Sequence, residues 1–242
     1  MRTAIYALIS GLLLWGPAVA QTDTAGTFDS EENDFKLSIG VSGGITLVSP
    51  DIVNDQIAFL NNSLDVGVDK IQSMLHLAGF IRIRPRMAPY MLLRVEAITV
   101  SRSYDYYAIG RSSTGSPTPS FDVSSSTRWT VYPLVIGIGT TIPKTPIEAE
   151  VGAMYALGYI TETGSLSSGG TYSNSQSGTG FGLQGRVAPH FRYSKNAVIS
   201  LEIEYRYLVV GSYSDNLGRA VNNFEMDLSG ISMSLGITYT FD

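Results

Sequence analysis

From Gly230 to Phe241 the chain carries a large apolar residue at every odd position from Ile231 onward and Ser, Gly or Thr at every even one. A strict period of two sends successive side chains to opposite faces of an extended strand. The stretch is therefore a strand with one oily face and one small, polar face. Its phase also changes at its start, because Met226 and Leu228 are apolar at even positions, and a bulge near Ser229-Gly230 or a strand beginning there is expected.

The same alternation recurs upstream. It predicts strands over 35–47, 74–84, 90–101, 128–141, 147–161, 179–192 and 197–211, which with the last stretch makes eight. Short, Pro- or Asn-containing turns at 85–89, 143–146 and 193–196 join them in hairpins. Long connections at 48–73, 102–127, 162–178 and 212–224 alternate with those turns. In the first of these, Ser49 as cap and Pro50 in the first turn precede Val53, Ile57, Leu60 and Leu64 at helical spacing, so a short amphipathic helix is expected.

The amino terminus has a different character. Met1-Arg2, an apolar run from Ala4 to Trp15 and the small residues Ala18-Val19-Ala20 form the pattern of a secretory signal peptide over 1–20. Residues 21–34, with Asp29, Glu31, Glu32 and Asp34, lack periodicity and are expected to be a flexible acidic tail. The third segment, 35–242, carries all eight predicted strands and is expected to be a single β-barrel domain. Beyond the leader, no apolar run reaches the ~20 residues of a membrane helix.

Charged residues are only 15% of the chain, below the roughly one quarter usual in soluble domains. A formal charge of −5 argues against a nucleic-acid partner, and the absence of Cys removes disulfide and thiolate chemistry.

Alternation leaves open which face looks inward, and the polar faces decide it. Arg82, Arg84, Arg94, Glu96, Glu148, Glu150, Arg186, His190, Arg192, Glu202, Glu204 and Arg206 all share the face opposite the large apolar residues, among many Gly, Ser and Ala and almost no Lys. A water-facing sheet favours long Lys and Glu, whereas a narrow lumen needs small side chains around a few paired charges. The twelve residues are thus expected to form a lumen ionic network. A reversed, lipocalin-like secreted barrel is the alternative.

With its leader, eight amphipathic strands, short turns and near-terminal Phe241, the chain resembles the small outer-membrane β-barrels of the OmpA and OmpX type over about 35–241. The departure is Asp242, one residue beyond the usual terminal Phe. The resemblance implies an all-β fold, an eight-stranded antiparallel up-and-down transmembrane β-barrel with a short helix in the first long loop. It further implies a bacterial outer-membrane location with both termini periplasmic, contact with outer-membrane lipids and lipopolysaccharide, and transient handling by periplasmic chaperones and the barrel-assembly machinery.

The resemblance leaves three functions open. The favoured one is a non-enzymatic envelope-structural or surface-interaction protein whose long loops carry any recognition. Tyr104, Tyr106 and Tyr107 are its candidate surface contacts, with girdle tyrosines on an extended strand tip as their plainer explanation. The second is a small pore or channel, and the third a lipid A-modifying enzyme. Deacylases of this class place a Ser two residues after a catalytic His; here Ala78 follows His76 and Arg192 follows His190, so no catalytic residue is assigned. Glu148/Glu150 and Glu202/Glu204 each pair carboxylates on one strand face, suited to acid–base work but better explained as partners of the lumen arginines. Neither a metal site nor a cofactor is expected.

Overall fold

The computed structural model describes residues 35–85, 89–109, 120–221 and 224–241. The segments expected to be a leader and an acidic tail, most of the expected turn at 85–89, the tip of the 102–127 connection and Asp242 lie outside the described residues. The elements are β1 (Phe35–Val48), α1 (Asp51–Leu64), β2 (Ser73–Pro85), β3 (Tyr90–Ile109), β4 (Ser120–Thr141), β5 (Ile147–Leu166), β6 (Thr171–Arg192), β7 (Ala197–Asp215), β8 (Met226–Asp227) and β9 (Gly230–Phe241).

Each strand pairs antiparallel with its sequence neighbour from β1 through β7, and β9 pairs with both β7 and β1. The sheet therefore closes on itself and has no free edge, which removes the exposed ladder that an open sheet presents. Met226 and Asp227 sit opposite Val210 and Val209, in the register that also sets Gly230 opposite Arg206. Hence β8 and β9 form one eighth stave, interrupted where Ser229 Oγ accepts the Leu208 N–H at 3.2 Å. Of the two expectations for Ser229-Gly230, a strand beginning there is met by β9, and the bulge is absent. The phase holds there, and what changes is the chemistry of the inward face, from Ser and Thr below to buried Leu228 and Met226 above.

A register shift does occur in the facing ladder, between Ser177 and Thr179 of β6, where β7 carries Ser212 at φ 51°. The extra residue reverses the parity of β7. Leu208 and Val210 point inward before it, and Tyr213 points inward after it.

The strands β3 to β6 extend furthest beyond the spans that the alternation predicted. β3 and β4 stay paired from Tyr90 opposite Gly139 out to Ile109 opposite Ser120, and β5 and β6 out to Ser165 opposite Thr171. Most of the connections 102–127 and 162–178 is thus sheet. Their Ser- and Thr-rich strands lack an apolar face to signal a strand, but hydroxyls hold them across the ladder. Ser124 donates to Asp105 at 2.6 Å, and Ser103 to Ser126 at 3.2 Å.

Helix α1 starts at Asp51 behind Pro50 rather than behind a capping Ser49, whose hydroxyl points instead to the Asp51 carboxylate at 3.4 Å. It ends at Asp65, in the left-handed region at φ 52°. Val53 and Ile57 bury its inner face. Two asparagines clasp the returning chain: Asn54 donates to the Ile71 carbonyl at 3.0 Å and accepts its N–H at 2.7 Å, and Asn61 does the same with Val68 at 2.9 Å for both.

The outer surface is oily. Val41, Leu77, Met91, Ile136, Leu183 and Leu235 are each more than half exposed. On β9 the outward apolar residues run from Ile231 to Phe241, about 33 Å of strand at ~3.3 Å per residue and about 25 Å of height at a tilt near 40°.

Candidate functional site

The inward face of the lower barrel, nearest the short turns, holds buried charge in equal numbers. Arg82, Arg94, Arg186 and Arg206 meet Glu96, Glu150, Glu202 and Glu204, all buried. They form one connected network. Arg82 bridges Glu148 at 2.9 Å and Glu150 at 3.1 Å; Arg186 joins Glu150 to Glu202, the latter at 2.6 Å. Arg94 then links Glu202 at 3.0 Å to Glu96 at 2.9 Å and Glu204 at 3.6 Å. Arg206 completes the circuit, 3.0 Å from Glu96 and 2.5 Å from Glu204.

Cross-strand register builds this arrangement. Glu150, Arg186 and Glu204 lie directly opposite one another on β5, β6 and β7, where opposite charges attract across the ladder. Aromatic rings fill the gaps. Arg82 lies 4.4 Å from the Phe80 ring centre, and Tyr90 donates to Glu150 at 2.7 Å. Phe80 needs Gly40 beside it, because a Cβ there would lie 2.3 Å from the ring.

Arg84 marks the edge of the network: it bonds Glu148 at 3.1 Å but its side chain is 43% exposed. Two predicted members fall outside. Arg192 is exposed at the end of β6, and His190, opposite Ser200, has a buried Nδ1 without a hydrogen-bond partner and no ion pair among the described residues. Parity put both on the correct face, but parity does not report depth, and these positions lie below the last filled layer.

His76 lies on the expected inner face, where the sequence assigned it no partner. Its Nδ1 lies 3.1 Å from Ser234 Oγ and its Nε2 3.4 Å from Glu96 Oε2. Gly44 sits between them in register, opposite both His76 and Ser234, and a Cβ on it would fall 1.9 Å from the Met233 carbonyl oxygen. Hydroxyl, imidazole and carboxylate are the parts of a nucleophilic relay. Here all three are buried and Glu96 already serves two arginines. The row is lumen packing. Among the described residues no group of three metal-ligating side chains occurs.

Above the ionic layer the filling becomes apolar, a change that the alternation of the strands does not signal. Met74, Ile98, Val131, Met154, Leu208 and Leu228 belong to a buried cluster that Val53 and Ile57 of α1 close from above.

Oily outside and ionic inside is the reverse of a water-soluble barrel, in which the apolar face must be covered. The chain is a transmembrane β-barrel. No protein-family model and no curated protein matches its sequence. Solved structures of similar architecture include Neisserial surface protein A, 13% identical, with 86% of this chain and 98% of that chain covered and a TM-score of 0.33. A major outer membrane protein from Thermus thermophilus is 13% identical over 86% and 99% of the two chains, TM-score 0.46. The outer membrane protease OmpT from Escherichia coli is 11% identical over 89% and 99%, TM-score 0.27.

The three tyrosines expected as surface contacts divide in the transmembrane barrel. Tyr104 and Tyr106 are half-buried on the inner face of the extended β3–β4 hairpin, their rings stacked 6.1 Å apart, with Tyr104 packed on the apolar cluster. Tyr107 alone is well exposed, on the outer face.

Proposed function

We propose that this protein is a closed, non-enzymatic barrel of the bacterial outer membrane whose function is carried by the end that bears α1 and the long hairpins. The observation that carries this reading is the doubly filled lumen: a neutral ion-pair circuit below, an apolar cluster above, and a helix across the top. Eight strands enclose only enough room for side chains to fill, so such an interior is a stopper rather than a conduit. The extended β3–β6 wall and Tyr107 are then the surface available to a partner or to neighbouring envelope components. Both termini and the short turns face the periplasm in this arrangement, with lipid and lipopolysaccharide around the belt.

The chain lacks Cys, so single cysteines report orientation against a clean background. A membrane-impermeant maleimide applied to intact cells should label Ser103→Cys on the extended hairpin and leave Thr145→Cys in the β4–β5 turn unlabelled until the cells are lysed. Labelling of the turn in intact cells would invert the proposed orientation.

A further inference from the structure

Between α1 and the inner face of the β3–β6 wall lies a partly open cavity of about 220 Å³. We propose that it is a binding site for a small organic cation with an apolar body, of the aryl-alkylamine class. The proposal goes beyond the closed-barrel reading and does not depend on which end faces outward.

Two chemistries meet in the lining of the cavity. Val53 and Ile57 of the helix, Trp129 of β4 and Phe224 give it an apolar floor, all four buried. Glu162 and Asn174, directly opposite each other on β5 and β6, line it one row further along the strands, and Gln176 lies in the same cross-strand row as Trp129 and Ile160. Among the described residues Glu162 is the only charged one in the lining, and no ion pair neutralises it. Its neighbours are hydroxyls: Tyr172 donates to it at 3.3 Å and Ser125 at 3.4 Å. The nearest cation in the same cross-strand row is Arg102, opposite Thr127, which in turn is opposite Glu162. Its guanidinium is turned to the carbonyls of Ser101, Asp69 and Lys70.

An apolar floor with aromatic faces and one uncompensated carboxylate at the rim is the complement of a compact cation on an apolar stem. The carboxylate accepts charge-assisted hydrogen bonds and the rings attract the cation's field. A neutral ligand of the same shape would gain only the burial.

Trp129 makes the site measurable. The chain has two tryptophans, and Trp15 lies in the predicted leader, so removal of 1–20 leaves Trp129 as sole reporter. Purified full-length mature protein in lipid nanodiscs should show saturable change of Trp129 emission with 2-phenylethylamine, at least about tenfold tighter than with 2-phenylethanol. Glu162→Gln should abolish that preference and leave the affinity for the alcohol unchanged. Gln56→Phe, on the exposed side of the helix where it narrows the cavity, should weaken both ligands without altering heat-modifiability. Equal affinity of amine and alcohol for the wild type, absence of saturation, or an unaltered preference in Glu162→Gln would each overturn the proposal. Should Glu162→Gln fail to fold, the wild-type comparison and Gln56→Phe decide it.

Discussion

Arg94 on β3 and Glu202 on β7, separated by 108 residues in the chain, meet across the lumen at 3.0 Å with both side chains 1% exposed. Neither has a strand neighbour in common with the other, so the bond spans the interior and ties opposite walls together. Because Arg94 also serves Glu96 and Glu204, its removal leaves three carboxylates short of one cation. Arg94→Met should cost about 3–5 kcal/mol, the range for breaking a buried ion pair. Arg94→Met/Glu202→Gln restores charge balance and should recover part of that loss. Urea unfolding in lipid vesicles, arranged as a double-mutant cycle, measures the coupling. A loss below about 1 kcal/mol for Arg94→Met would mean that lumen water carries the charge instead.

The outer belt makes the opposite demand. Leu201 on β7 lies opposite Leu235, near the middle of the outward apolar run of β9, and is 44% exposed on the oily face. Leu201→Arg near the bilayer midplane should cost about 2–4 kcal/mol. The neighbouring lumen position, Glu202, should respond to loss of charge rather than to its gain. Stability unchanged by Leu201→Arg in lipid would show that the faces are reversed.

Much of this was legible because a barrel wall with two different environments forces a period of two. The strands near the membrane, their order and the sign of each face follow from residues such as Leu201 and Glu202 alone. Where the outer environment is water, that signal fades: Ser103 pairs with Ser126 and Asp105 with Ser124, yet these stretches resemble a loop in sequence. The apolar upper lumen escaped for a related reason. Met226 and Leu228 break the polar character of the inner face without breaking its phase, and composition along one strand cannot distinguish that from a bulge. The His76–Ser234 contact escaped because it depends on a closing pair, β1 with β9, and on Gly44 being small enough for side chains to meet across it. Arg192 and His190 were assigned by parity and excluded by depth.

The helix cover rests on few bonds. Asn54 is buried and satisfies both the N–H and the carbonyl of Ile71, so Asn54→Ala leaves two buried groups without their partner, each worth about 1–3 kcal/mol. The expected result is local. Hydrogen exchange should accelerate over 50–72 while the amides of β1 and β9 keep their protection. Uniform acceleration around the barrel would show that α1 is part of the cooperative unit rather than a cover upon it.

Planar-bilayer recording distinguishes a barrel closed along its length from one that conducts. Purified wild-type protein, with Arg94, Glu202 and Ile57 in place, should insert without producing reproducible conductance steps. Long-lived open channels of uniform size from the wild-type protein would contradict the filled lumen and establish a pore.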